Sequence, residues 1–275
     1  MKRCVNPIMK YKLLAADMDG TLLNDQSQIT QHTKDALLSA ADAGVIFVAS
    51  TGRPMCGVES VNALFTQDFP FIIFNGAMAV MGKSGNVLFS KPLDFGYAKE
   101  IYKLGVDRNI PTVLWTENEL FVSCESTVTQ NYQTISGVVP SVIEDIEQFQ
   151  NKHICKMIWI DNPDGALQYQ FEMTAHFGGK VNCHISRPHF LEFVNADASK
   201  GLALSEIGRI YGIDKSEMIA VGDSYNDISM LEYVGLGVAM ANAPKDIQKI
   251  CRHVTLSNND DGVAAAINRY WGSSL

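Results

Sequence analysis

Positive charge, cysteine pairs and long apolar runs are scarce in this chain of 275 residues. The formal net charge of -8 argues against a broad surface for nucleic acid or for acidic membrane lipids. It does not argue against a small phosphorylated ligand, because a few local cations and backbone N–H groups are enough to bind phosphate. We therefore expect no nucleic-acid partner and no membrane partner.

Cysteine is present, but its six residues are scattered and form no C-x-x-C pair. This favours reduced thiols over a disulfide framework or a zinc site. Cys183 beside His184, and His153 near Cys155, lie in strand-like runs and are interpreted as structural residues. No apolar run reaches the roughly 18 residues that a membrane span requires. Residues 1–9 lack the apolar core of a signal peptide and are interpreted as a loose extension, so the expected location is the cytoplasm.

The chain has ample material for a hydrophobic core. Hydrophobic residues make up 47% and charged residues 19% of it, which is typical of a globular protein. Its length favours one large domain with a second domain inserted or appended. At both ends of the chain, continuous apolar strand patterns alternate with helical patterns. This alternation predicts a parallel sheet with helices on both faces.

The middle of the chain has a different pattern of hairpins and helices, which predicts an inserted α+β unit with an antiparallel sheet at 82–195. The elements predicted before it are strands at 11–16, 45–50 and 69–74, a helix at 30–43, a helix from Pro54 and a hairpin at 79–90. The elements predicted after it are helices at 201–211, 227–233, 243–252 and 262–270, and strands at 218–221 and 236–240.

Two carboxylates, Asp17 and Asp19, follow the first predicted strand at a glycine turn. Because side chains alternate along a strand, both are expected on the same side. Their mutual repulsion is offset if a cation or a shared proton lies between them. An ordinary acidic turn is the alternative interpretation of this stretch alone.

Polar residues also follow three other predicted strands. They are Thr51-Gly52, Asn75-Gly76 and the run from Gly222 to Asp227. In an open parallel sheet, ligands bind outside the carboxyl ends of the strands. We therefore expect these segments to form one site with Asp17 and Asp19.

These residue types suit phosphoryl transfer. Asp17 can attack phosphorus and form an aspartyl-phosphate, and Asp19 can protonate the leaving oxygen and later take a proton from water. Because carboxylate and phosphate are both anions, a cation is required, and oxygen ligands suit Mg²⁺. The predicted magnesium ligands are Asp17, Asp223 and the backbone carbonyl of Asp19. The predicted phosphate ligands are Thr51, the Gly52 N–H, Asn226 and Lys200.

The same segments resemble the ordered motifs of the haloacid dehalogenase superfamily. The matching segments are Asp17-Met18-Asp19-Gly20-Thr21-Leu22, Ser50-Thr51-Gly52-Arg53, Ser199-Lys200-Gly201 and Gly222-Asp223-x-x-Asn226-Asp227-x-x-Met230. From Lys12 onward the chain is similar to the Cof-type phosphatases of subfamily IIB, which carry a large C2B-type cap. The resemblance adds Asp227 to the predicted metal ligands and Asn75 to the predicted substrate-binding residues. It leaves open whether Asn226 and Asp227 bind phosphate, bind metal or support the site.

The resemblance implies an α/β fold, in which a Rossmann-like core at 1–81 and 196–275 carries an α+β cap at 82–195. It implies a Mg²⁺-dependent phosphatase of a small phosphorylated metabolite such as a sugar phosphate. A sugar phosphomutase and a non-catalytic metabolite-binding protein are the alternatives. The candidate substrate contacts of the cap are Trp115, Glu117, Tyr132, His184, Arg187 and His189. The segment 195–199 lacks the glycine that many relatives have close to the lysine, which predicts a stiffer linker.

Overall fold

A computed structural model describes residues 9–117 and 119–272, and these form an α/β structure with two sheets. The predicted extension at 1–9 therefore lies outside the described residues except for Met9. The chain divides into two compact units. The described parts of Met1–Gly52, Ser60–Phe89 and Ser199–Leu275 form one compact unit, here the core unit, and Arg53–Glu59 with Ser90–Ala198 form a second, here the inserted unit.

Strands and helices alternate along both ends of the chain, as the apolar pattern predicts. The strands are β1 (Leu13–Asp17), β2 (Ile46–Ser50), β3 (Pro70–Ile73), β4 (Met78–Met81), β5 (Val87–Ser90), β6 (Thr112–Trp115), β7 (Leu120–Val122), β8 (Ser141–Val142), β9 (Lys156–Ile160), β10 (Val181–Arg187), β11 (Phe190–Asn195), β12 (Met218–Gly222), β13 (Leu236–Ala239) and β14 (His253–Val254). The helices are α1 (Gln31–Asp42), α2 (Glu59–Asn62), α3 (Phe95–Asp107), α4 (Thr127–Ser136), α5 (Pro163–Phe177), α6 (Lys200–Tyr211), α7 (Ile228–Tyr233), α8 (Lys245–Ile250) and α9 (Gly262–Trp271).

The core unit is built on an eight-stranded sheet in the order β14-β13-β12-β1-β2-β3-β4-β5. The strands from β14 to β3 run parallel, and β4 is antiparallel to β3. All five residues of β1 are buried, so the strand is covered on both faces. Leu13 and Ala15 pack with residues of α6 and α7 such as Leu204 and Met230. This confirms the predicted Rossmann-like parallel core.

Local sequence signals determine where the first helix, α1, begins and ends. Thr30 caps α1 by accepting a hydrogen bond from the Thr33 N–H, and the helix is followed by Gly44 at a φ of +96°. Its buried residues include Ala36, Leu37 and Ala40, which form its apolar face. The helix predicted at 30–43 is therefore confirmed.

The hairpin predicted at 79–90 forms as β4 and β5, but it belongs with the eight-stranded sheet. Met81 N–H donates to Asn86 C=O at 2.9 Å across the hairpin. The expected boundary after residue 81 falls inside this hairpin, whereas the core unit extends to Phe89. The reason is that β5 completes the edge of the sheet by hydrogen bonding to β4, a pairing that apolar periodicity does not specify.

The inserted unit contains a six-stranded sheet in the order β10-β11-β9-β6-β7-β8. Its pairs are antiparallel except for β7 with β8. A core of its own includes Trp159, Phe193 and Phe149, packed with residues of α3 and α5. This confirms the predicted α+β character of the insertion. Across the part of the chain that the structure describes, no helix has the length and apolar character needed to cross a bilayer.

Two predicted helices are shorter than expected. The pattern after Pro54 predicts one amphipathic helix, but the chain forms a 3-10 turn at Met55–Val58 and a single α-helical turn, α2. Gly57 and Asn62 are weak helix formers, and the Asn62 side chain donates to the Gly82 carbonyl at 2.6 Å. The helix predicted at 243–252 is α8, which begins only after Pro244 because the residue before a proline disfavours helical geometry.

Candidate active site

The carboxyl ends of four strands lie side by side, because β12, β1, β2 and β3 are consecutive neighbours and run parallel. Asp17 is the last residue of β1, and Gly222 is the last residue of β12. Asp17 is in register with Ser50, so Thr51 follows directly beside it. The structure thus brings the four polar segments to one edge of the sheet.

Lys200 lies at the centre of this edge, and its side chain is 0% exposed. Its Nζ donates to Asp17 Oδ1 at 2.5 Å and to Asp227 Oδ1 at 2.7 Å. Ser199 positions the lysine by capping α6, where it accepts a hydrogen bond from the Leu202 N–H. Burial alone lowers the pKa of Lys200, but the two carboxylates together raise it above its ordinary value. The ammonium group therefore stays charged.

Both carboxylate oxygens of Asp227 are engaged. Oδ1 accepts from Lys200, and Oδ2 accepts from the backbone N–H groups of Asp223 and Ser224, each at 3.0 Å. Gly222 leaves room for this arrangement, because a Cβ there would lie 2.7 Å from the Asp227 carboxylate carbon. Asp227 therefore stabilises the loop that carries Asp223.

Asp223 contacts the turn that follows Asp19. Its Oδ1 accepts from Thr21 Oγ1 at 2.7 Å. A Cβ on Gly20, whose φ is +81°, would lie 2.5 Å from Asp223 Oδ2, so only glycine fits here. The sequence alone gives Thr21 no role; its hydroxyl two residues after Asp19 is the one signal that could have indicated it.

One carboxylate oxygen from each of Asp17, Asp223 and Asp227 lies within 4.8 Å of the other two. Hard cations such as Mg²⁺ take oxygen ligands of this kind. Because N–H donors already engage both oxygens of Asp227, Asp17 and Asp223 are the better placed pair to hold a cation. The donor set therefore fits magnesium with Asp227 in support.

The pKa values of this cluster reflect an excess of negative charge. Burial raises the pKa of Asp17 well above its ordinary value, with Lys200 opposing the rise and Asp227 adding to it. Burial also raises the pKa of Asp223 to about 6. The cluster contains three carboxylates and one ammonium group, so a bound cation would favour the ionised carboxylates.

Asp19 lies in a different environment from Asp17. Asp17 is 4% exposed and Met18 is fully buried, whereas Asp19 is exposed. The Asp19 backbone forms a bridge with Leu23, which closes the turn. Among the described residues, the carboxylate group of three that could hold a metal includes Asp17 but not Asp19. The Asp19 charge is nevertheless close enough to contribute to the raised pKa of Asp223.

The remaining predicted site residues lie next to one another near the ends of β2 and β3. The Thr51 carbonyl accepts from the Asn75 N–H at 3.0 Å. Gly52 packs on the same asparagine, because a Cβ on Gly52 would lie 2.9 Å from Asn75 Oδ1. Asn226 Nδ2 donates to this Oδ1 at 3.0 Å. Thr51, Gly52, Asn75 and Asn226 therefore form one connected group.

Comparison with known proteins assigns the chain to a family. A family model described as haloacid dehalogenase-like hydrolase matches residues 14–267, which include all of the residues above. The chain belongs to the haloacid dehalogenase-like hydrolases.

Individual relatives of this hydrolase match over nearly its whole length. YxeH of Bacillus subtilis (strain 168) is 33% identical over 267 residues, which are 94% of this chain and 97% of that protein. The 5-amino-6-(5-phospho-D-ribitylamino)uracil phosphatase YwtE of the same bacterium is 30% identical over 285 residues, with 94% and 97% covered. The crystal structure of TM0651 from Thermotoga maritima has a TM-score of 0.86 at 28% identity, with 94% and 97% covered. The hydrolase is a phosphatase of this family, as the motifs predict.

Some candidate substrate contacts in the inserted unit of the phosphatase have structural partners. Trp115 Nε1 donates to the Tyr132 hydroxyl at 2.8 Å, and both side chains are buried. Glu117 pairs with His153 at 2.6 Å. His189 Nδ1 lies 2.9 Å from the carbonyl of Asp161.

The two Cys–His neighbours are consistent with structural roles. Cys155 and Cys183 are buried, and burial raises the pKa of each thiol to about 12. Thiols with so high a pKa are poor metal ligands and poor nucleophiles.

His184, a further candidate, borders a buried ion pair. Lys156 Nζ donates to Glu192 Oε1 at 3.0 Å, and both side chains are less than a tenth exposed. Ser186 Oγ donates to the same oxygen at 2.7 Å, and His184 Nε2 lies 3.5 Å from Oε2. Burial opposes ionisation of Glu192, but Lys156, His184 and Ser186 together outweigh burial and lower the pKa of Glu192 to about 2.

This pair predicts acid sensitivity of the inserted unit. The pKa of Glu192 is about 2 when folded and ordinarily 4.5, so its contribution is complete above pH 4.5 and disappears as the pH falls towards 2. We expect Glu192→Gln to lower the free energy of urea unfolding by about 3 kcal/mol at pH 6, and by much less at pH 3. The fluorescence of Trp115 and Trp159, both within this unit, reports the unfolding. An equal difference at both pH values would contradict the prediction.

Proposed function

We propose that this hydrolase is a Mg²⁺-dependent phosphatase of a small phosphorylated metabolite, and that it acts through an aspartyl-phosphate on Asp17. The observation that carries the proposal is the buried cluster in which Lys200 bridges Asp17 and Asp227, with Asp223 beside them. This cluster combines a nucleophile, a positive charge and a second carboxylate for a metal.

We propose the core unit as the catalytic domain. The reason is that all nine predicted site residues belong to it. They are Asp17, Asp19, Thr51, Gly52, Asn75, Lys200, Asp223, Asn226 and Asp227. We propose the inserted unit, which contains none of these nine residues, as the cap domain.

We assign the magnesium ion to Asp17 and Asp223, with the backbone carbonyl of Asp19 as a further oxygen ligand. Asp227, predicted as a ligand, is better explained as a support, because both of its oxygens accept hydrogen bonds from protein N–H groups. When bound, Mg²⁺ would screen the phosphate from the carboxylates and withdraw charge from the transferring phosphoryl group.

In the first step, a carboxylate oxygen of Asp17 attacks phosphorus and the bond from phosphorus to the ester oxygen breaks. Lys200 holds Asp17 Oδ1 and so fixes the orientation of the carboxylate. The departing oxygen takes a proton from Asp19, whose exposed position gives it access to a substrate. The products are an alcohol and an aspartyl-phosphate.

In the second step, a water molecule attacks phosphorus and the acyl phosphate bond breaks. Asp19, now a carboxylate, takes the proton of the water. Asp17 is regenerated and inorganic phosphate leaves. Thr51, the Gly52 N–H, Asn226 and Lys200 are the proposed donors to the phosphoryl oxygens in both steps.

We propose a sugar phosphate or sugar-alcohol phosphate as the substrate class. Support comes from YwtE, which is 30% identical and is named for a substrate with phosphate on a ribityl chain. A primary alcohol is a poor leaving group, so its departure requires the proton that Asp19 supplies.

The test is release of inorganic phosphate from a panel of phosphorylated sugars, polyols and nucleotides, with MgCl₂ or with a chelator. We expect turnover of at least one polyol or sugar phosphate, and a loss of at least about 100-fold when the metal is removed. Restoring MgCl₂ restores the rate, which separates metal dependence from unfolding.

Equal rates in chelator and in MgCl₂ would refute the metal dependence. Analysis of the organic product completes the test. Dephosphorylated alcohol with stoichiometric phosphate indicates hydrolysis, whereas an isomerised sugar phosphate without free phosphate would indicate a mutase instead.

A further inference from the structure

Three consecutive residues after β3 have left-handed backbone geometry. The φ angles are +51° for Phe74, +56° for Asn75 and +97° for Gly76. This geometry suits glycine, but it costs about 1 kcal/mol or more for each of the other two residues. Phe74 is fully buried, so the surrounding core holds the segment in this conformation. Such strain is often found where a backbone segment has a functional task.

Residues 74–76, here the left-handed segment, contact the other parts of the site. The Asn75 N–H donates to the Thr51 carbonyl at 3.0 Å, and its side chain packs on Gly52. A Cβ on Gly76 would lie 2.1 Å from the carbonyl carbon of Ser199, immediately before Lys200. The segment therefore sets the separation between Thr51 and the start of α6.

The side chain of Asn75 is directed at Asn226. Asn75 Oδ1 accepts a hydrogen bond from Asn226 Nδ2 at 3.0 Å. An amide nitrogen has two N–H groups, so this bond fixes the amide plane of Asn226 and leaves its second N–H for a phosphoryl oxygen. The contribution of Asn75 to this bond is the acceptor oxygen of its side chain.

We propose that Asn75 is a positioning residue that orients the Asn226 amide towards the phosphoryl group. This inference rests on the proposed function, and it adds a positioning role to the expectation that Asn75 binds substrate. Glycine would adopt the backbone geometry at lower cost, but it could not make the bond to Asn226. The hydrogen bond is therefore what the asparagine contributes.

A double-mutant cycle with Asn75→Gly and Asn226→Ala tests the proposal. Each single substitution is expected to lower kcat/KM for a phosphate ester about tenfold, the effect of one lost hydrogen bond. The double variant is expected to lose no more than the more affected single variant, because both changes remove the same interaction. Urea unfolding of Asn75→Gly is expected at an unchanged or higher midpoint, because glycine relieves the left-handed strain.

The affinity for inorganic phosphate, measured by calorimetry on the same four proteins in MgCl₂, gives a second readout that requires no turnover. Asn109→Gly is the matched control, because Asn109 is an exposed asparagine with a φ of +55° in the inserted unit. It is expected to change neither kcat/KM nor phosphate affinity.

Losses that multiply to about 100-fold in the double variant would overturn the inference, since Asn75 would then act independently of Asn226. An unchanged phosphate affinity in Asn75→Gly would overturn it as well. A wild-type protein that binds phosphate with a coupled cycle, yet turns over no ester, would instead count against the proposed function and leave the positioning role supported.

Discussion

Asp17→Asn is expected to abolish phosphate release, with a fall in kcat on the order of 10³-fold or more. The amide nitrogen and oxygen of asparagine occupy the space of the carboxylate but cannot form an acyl phosphate. Lys200 keeps its bond to Asp227 in the variant, so the fold is expected to persist. Rapid acid quenching with labelled substrate should trap a phospho-enzyme in the wild type and none in the variant.

Asp42→Asn is the matched control, because Asp42 is an exposed residue at the end of α1. It is expected to retain full activity. Turnover by Asp17→Asn within tenfold of the wild-type rate would show that the reaction proceeds by direct attack of water. A trapped phospho-enzyme in the variant would place the nucleophile elsewhere.

Lys200→Met is expected to lower the free energy of unfolding by about 3–5 kcal/mol, measured in chelator. The substitution leaves Asp17 and Asp227 buried without their shared ammonium partner. Burial without a partner favours the protonated carboxyl, so the loss should be smaller at pH 5 than at pH 8. The variant is also expected to lose most of its activity, because the carboxylate of Asp17 is no longer oriented.

A second variant keeps this prediction testable if Lys200→Met folds poorly. Adding Asp227→Asn removes one of the two unpaired charges and should recover part of the stability without recovering activity. Lys249→Met, at an exposed position of α8, is the surface control and should be nearly neutral. A loss below about 1 kcal/mol in Lys200→Met would show that the buried ion pairs contribute little to folding.

Much of the fold was predictable because its signals are local. The cap at Thr30 and the glycine after α1 specify a helix that the structure reproduces. Continuous apolar runs such as the one containing β1 are strands covered on both faces, and the parallel sheet follows from their alternation with helices. The change from alternating strands and helices to hairpins after residue 82 is also a local signal, and it indicated a second unit.

The sequence-based predictions of secondary structure differ from the structure mainly where contacts between distant residues override a local sequence pattern. The helix after Pro54 is interrupted, and Asn62 turns its side chain to the β4–β5 turn. The boundary at 81 is displaced because β5 pairs with β4 at the sheet edge. The short strand β14 was not predicted at all, because two residues carry too little periodicity to be recognised.

In the site, too, some features were predictable from the sequence and others were not. Motif spacing predicted Asp17, Lys200 and Asp223 as site residues, because each follows a recognisable strand or begins a helix. It did not predict that Asp227 would use both oxygens to hold Lys200 and the Asp223 loop. Nor did it predict Thr21 as the partner of Asp223.

The sequence by itself determined the parallel core, the insertion, the family and the residues that meet at one sheet edge. These depend on periodicity, turn chemistry and ordered motifs, which are properties of short stretches of chain. The tertiary structure decided which of those residues contact one another, since Lys200 and Asp17 are 183 positions apart yet share a hydrogen bond. The fold also brings three carboxylates and one ammonium group together in a largely buried cluster, and this excess of negative charge favours the cation that we propose.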